Sequence, residues 1–108
     1  MLDMHLLADT STMPKDDTPA ASEYLGSLAL EQAEKLQCVW DLCKEYGIAF
    51  DYFTDIHWLS YEVKIIAECC RECYELNSNP VVRGVCTYLL GILERAIEQE
   101  SGIAAYAD

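Results

Sequence analysis

Between residues 22 and 46 the apolar positions fall in alternating steps of four and three. Leu25, Ala29, Leu36, Val39, Cys43 and Tyr46 form the row, with Gln32 among them. That spacing puts them on one stripe of a helix, with Glu34, Asp41 and Glu45 opposite. Gly47 supplies a C-terminal stop. A second helix is predicted from an N-cap at Thr54 or Asp55 to about Asn77, with Ile56, Leu59, Val63, Ile66, Cys70 and Cys73 as its main stripe. The run Asn77-Ser78-Asn79-Pro80 is the clearest boundary in the chain. Asn79 suits an N-cap, and Pro80 suits the first helical position, where its missing N–H is harmless. A third helix then runs to about Glu100, with Gly102 just past its end. So short a connection makes the second and third helices an antiparallel hairpin.

The remaining segments show no such period. Residues 1–21 read as a flexible N-terminal tail. Leu2, Met4, Leu6 and Leu7 are apolar, but Thr10 to Pro19 is rich in Thr, Ser, Asp and Pro. The tail is expected to be dispensable for folding. Ile48 to Phe53 should fold over one end of the helices, and residues 103–108 read as a C-terminal tail. The expected architecture is all-α: a small helical bundle of three long helices, in a single helical domain over 22–102, with a disordered N-terminal tail.

The three helices carry more apolar surface than a three-helix bundle uses. The second has another stripe, Trp58, Ile65, Cys69 and Leu76, about 100° from the first. The third spreads apolar side chains, Tyr88 and Ile92 among them, over roughly 200°. A large exposed apolar stripe is uncommon in a monomer. The surplus therefore predicts a protein-binding face with Trp58, Ile65, Cys69, Leu76, Tyr88 and Ile92 as contacts, or a homodimer closed by two-fold symmetry, the alternative being cover by the Ile48–Phe53 segment and Ile103–Tyr106 of the same chain. Gly84 and Gly91 share a helix face beside Tyr88, which fits close approach by another backbone.

Charge narrows the choice of partner. Asp and Glu number 19 against seven Lys and Arg, giving a formal net charge of −12 over 108 residues. A field of that sign repels phosphates and anionic membrane surfaces, so direct nucleic-acid and membrane binding are not expected. It suits a basic or nucleic-acid-binding protein. Glu68, Glu72 and Glu75 climb one helix face, and Glu94 and Glu98 another. The opening residues lack the basic n-region of a signal peptide, so a cytoplasmic protein is expected.

Candidate chemistry is sparse. In a cytoplasmic setting the six cysteines read as reduced thiols acting as small hydrophobes. Cys70 and Cys73 lie one turn apart, as helix-borne metal ligands would, but they also fall where the apolar period demands core residues. His5 and His57 accompany no nucleophile motif, there is no Glu-x-x-His pair, and no glycine-rich phosphate loop occurs. No enzyme, cofactor or metal is expected. The functional expectation is a small acidic, non-catalytic regulatory protein that inhibits or modulates another protein through an apolar helix face. The alternatives are a nucleic-acid mimic that blocks a DNA- or RNA-binding protein and, behind it, a thiol or metal sensor.

Overall fold

The structure is a computed structural model that describes residues 1–10 and 23–107. It is mixed α/β: a four-stranded antiparallel sheet with four helices, not an all-α bundle of three helices. In chain order the elements are β1 (Leu2–Leu7), β2 (Tyr24–Leu28), α1 (Leu30–Lys35), α2 (Gln37–Glu45), β3 (Ile56–Trp58), α3 (Ser60–Leu76), α4 (Pro80–Glu98) and β4 (Gly102–Tyr106). The strand order is β2-β1-β4-β3, so the first and last strands lie side by side at the centre.

Four expectations are corrected by this sheet. The predicted tail supplies a central strand: Leu2 and Met4 are fully buried, and β1 pairs on both sides. Residues 11–22 of that expected tail, including the predicted helix start at Ser22, lie outside the described residues. The expected C-terminal tail is β4, with Ile103, Ala104 and Ala105 fully buried. The long first helix is divided into β2, α1 and α2, with a break at Leu36. The second helix begins at Ser60, because Ile56–Trp58 is recruited as an edge strand beside β4.

Alternation sets the two sheet faces. Leu2, Met4, Leu6, Ile103, Ala105, Ile56 and Trp58 point one way and join the core beneath the helices. Asp3, His5, Leu7, Ala104, Tyr106 and His57 point the other way. Two glycines make the assembly possible. Gly26, at φ +151°, sits at a register shift between β1 and β2, where a Cβ would come within 2.9 Å of both Ile92 and Tyr88 on α4. At Gly102 a Cβ would overlap the Trp58 carbonyl oxygen on β3.

The helical layer keeps several of the predicted signals. Asn79 accepts from the Val81 N–H at 2.9 Å, with Pro80 opening α4. Gly47, at φ +77°, ends α2: its N–H bonds to the Lys44 carbonyl and the Ile48 N–H to the Cys43 carbonyl, both at 3.0 Å. Ile48 turns into the core, and Phe50 stacks on Trp40 at 3.8 Å between ring centres. At the start of α3 the Leu59 N–H donates to Glu62 Oε1 at 2.9 Å. Asp9, from the other end of β1, accepts from the Ser60 N–H at 2.7 Å and from its hydroxyl at 2.6 Å. No described helix is long and apolar enough to cross a membrane.

The apolar surplus read from the helices therefore has a cover inside the same chain. Ile92 lies under Gly26, and Trp58 packs beside Trp40.

Candidate protein-binding site

The six predicted contact residues do not form one surface. Trp58, Cys69 and Ile92 are each 2% exposed and belong to the core. Tyr88 stays partly open, but its hydroxyl donates to the Ser27 carbonyl at 2.6 Å and accepts from the Ser27 N–H at 3.2 Å, tying α4 to β2. Leu76 stands 71% exposed at the last residue of α3. Ile65 is half-buried and meets Cys69 in a groove beside the end of α2.

That groove has a volume of about 250 Å³ and is lined by Tyr46, Lys64, Ile65, Glu68, Cys69 and Glu72. Five of the six come from α3 at spacings of one, three and four, which a helix gathers on one flank. Ile65 and Cys69 make an apolar floor. Tyr46, largely exposed where α2 ends, makes the wall. Lys64, Glu68 and Glu72 stand exposed on the rim. Glu68 is paired to Arg71, leaving Glu72 as a rim carboxylate without that neutralisation. Burial pushes the Cys69 thiol up, and the charges of Glu72 and Glu45 raise it further. Glu72 and Glu45 thus place negative charge near the floor, with Lys64 on the same rim. Sequence reading found Ile65 and Cys69 through their four-residue spacing. It missed Tyr46, because the wall exists only where α2 and α3 converge.

A second cleft of about 200 Å³ lies along α1 and α2, where Trp40, Phe50 and Tyr52 meet Glu34 and Lys44. Gly84 and Gly91 face open space, with nothing beyond their own stretch of helix backbone within 4 Å of where their Cβ would stand.

The cysteines occupy the seams between helices. Cys38 of α2 and Cys73 of α3 form a disulfide with a Cα separation of 6.1 Å, which corrects the expectation of six reduced thiols. It also removes Cys73 from the pair that resembled metal ligands. Cys43, Cys69, Cys70 and Cys86 are free and buried. Cys70 donates to the Cys86 carbonyl at 3.2 Å. Its thiol is pushed up to about 12, by burial first and then by Cys86. Burial also holds Cys43 far above the ordinary thiol range, with Cys69 adding to the effect. A thiol reacts as its thiolate. The four free thiols should therefore resist iodoacetamide at pH 8 while the protein is folded and label completely in denaturant. Intact mass before and after unfolding measures this, and labelling of two or more in the folded state would refute it.

Among the described residues no group of three Cys, His, Asp or Glu side chains is placed to hold a metal. Comparison with protein families, with curated proteins and with solved structures finds no match to this chain.

Proposed function

We propose that this chain is a small acidic regulatory protein that binds another protein through the α2–α3 groove. The supporting observation is the apolar floor of Ile65 and Cys69 set in a field of carboxylates. The occupant that complements it is a segment presenting one large aliphatic side chain flanked by Lys or Arg. The aliphatic group fills the floor beside Tyr46, and the basic groups meet Glu72 and Glu45. The groove is small, so it serves as the anchor of a larger contact rather than the whole of it. Leu76, exposed on the same helix, extends the apolar surface toward the C-terminal end of α3.

Nucleic-acid mimicry is the second reading, supported by the exposed rows Glu68, Glu72 and Glu75 on α3 and Glu94 and Glu98 on α4. Salt separates the two. Mimicry rests on many charge pairs and weakens steeply with ionic strength, whereas apolar anchoring is little affected.

The test uses an amphipathic Leu/Lys peptide as probe and amide chemical shifts of the labelled protein as readout. Shifts should concentrate at Tyr46, Ile65 and Cys69. Ile65→Asp should weaken binding by about tenfold or more, the worth of one buried aliphatic side chain. Shifts spread along Glu75, Glu94 and Glu98 and abolished by 0.5 M salt would favour mimicry. No response at millimolar peptide would refute the groove.

A further inference from the structure

The sheet face turned away from the helices carries a second cluster, independent of the groove. His5 on β1 and His57 on β3 are both paired with Ala104 on β4. Facing residues on antiparallel strands point the same way, so the two imidazoles flank one methyl group. Tyr106 is the next residue along β4 on that face, and its ring lies 5.5 Å from His5 in an edge-on arrangement. Tyr24 closes the other side of His5 at 5.3 Å.

Three polar atoms in this cluster are buried and have no hydrogen-bond partner: His5 Nδ1, His57 Nε2 and Tyr106 Oη. His5 as a residue is only 5% exposed. Buried polar groups are ordinarily satisfied, and three orphans on one sheet face call for a ligand. Their chemistry narrows the ligand. Two imidazole nitrogens and a phenol oxygen are all donors to a transition metal of the zinc type. Carboxylates stand around them. Asp9, which accepts from Ser60, follows the end of β1, and Asp55, which precedes β3, accepts from the Ala107 N–H at 2.8 Å beside Tyr106. An anion would meet those carboxylates and a chain of net charge −12.

The geometry points to a divalent transition-metal site on the outer sheet face, with His5 Nδ1 and His57 Nε2 as imidazole ligands and Tyr106 Oη as third ligand. Both imidazoles bind in the neutral form. Tyr106 binds as phenolate, and its proton passes to the buffer, so each metal ion taken up releases one proton. Water completes the coordination. The cluster shares no residue with the α2–α3 groove, so the two readings stand or fall separately.

The test is calorimetric titration of the untagged full chain with Zn2+ in buffers of different ionisation enthalpy. One ion should bind per chain with release of about one proton. His57→Ala should weaken binding by more than the about 10–100-fold of an outer-shell change. Tyr106→Phe, which keeps the ring, should abolish the proton release, and circular dichroism should show both variants folded. With Co2+ as a paramagnetic probe, the ring protons of His5 and His57 should broaden first in the NMR spectrum. Absence of binding at millimolar Zn2+, or binding unchanged in His57→Ala and Tyr106→Phe, would overturn the proposal.

Discussion

A chain that begins at Ala8 is expected to lose its cooperative thermal transition. The residues removed are Met1 to Leu7, and with them goes β1, the strand that joins β2 to β4. Leu2 and Met4 are fully buried and Leu7 nearly so. Burying three such side chains contributes about 5–9 kcal/mol. A domain of this size has only about 5–15 kcal/mol in total. The strand's backbone pairing on both sides is lost as well, leaving β2 without a neighbour and β4 with an open edge. Circular dichroism against temperature would show a broad slope in place of a sigmoid, with part of the helix signal retained by the α3–α4 hairpin. Adding a peptide of residues 1–10 in trans should restore some cooperativity. A truncated chain that melts at the parent midpoint would contradict the placement of β1.

Reduction of Cys38–Cys73 should give the second large effect. The bridge closes a loop with a sequence separation of 35 and fastens α2 to α3. In the chain-entropy account a loop of that length is worth about 3–4 kcal/mol, through restriction of the unfolded chain. For a domain near 100 residues this corresponds to a fall in Tm of about 12–20 °C on reduction. The double variant Cys38→Ser, Cys73→Ser should melt at the reduced protein's temperature and be indifferent to reductant. Calorimetry with and without a phosphine reductant decides the matter. An unchanged midpoint, or a peptide map in which Cys38 and Cys73 are not joined, would count against the bridge.

The helical hairpin was legible in the sequence and the sheet was not, for reasons that lie in particular residues. Across α3 and α4 the three-and-four spacing extends over 17 and 19 residues, and Asn79-Pro80 marks the junction in the chemistry of the backbone itself. The strands have three to six residues each. Leu2-Asp3-Met4-His5-Leu6 and Ile56-His57-Trp58 do alternate, but over stretches too short to outweigh the neighbouring pattern. In β4 the run Ile103-Ala104-Ala105 has no polar contrast at all. In β2 the three-residue spacing of Leu25 and Leu28 is that of a helix rather than of an alternating strand. What the sequence did contain was the quantity of apolar surface. Three helices had more than they could bury on one another. The cover is a sheet assembled from two segments that read as tails, β1 and β4, and two that read as helix starts, β2 and β3.

The same phase error misplaced the predicted contacts. Trp58 was assigned to a helical stripe with Ile65, but the helix starts two residues later, and Trp58 belongs to β3 on the core side. Ile65 and Cys69 kept their relationship because both lie within α3. The cluster of His5, His57 and Tyr106 was out of reach, since it depends on a register in which residues 5, 57 and 104 align across three strands.

The central pairing of β1 with β4 also governs when the protein can fold during synthesis. Asp3 faces Tyr106 across that ladder, so the pairing joins residues far apart in the order of synthesis. The α3–α4 hairpin has local contacts and is able to form as soon as it clears the ribosome. β1 has to wait for residues 102–106, with Leu2, Met4 and Leu6 exposed to any chaperone that binds extended apolar segments. Pairings so distant along the chain slow folding, because closure entropy comes due before the contacts that reward it. On the nascent chain, helix should therefore appear early, and protection of the β1 amides that pair with β4 only after Tyr106 has left the exit tunnel.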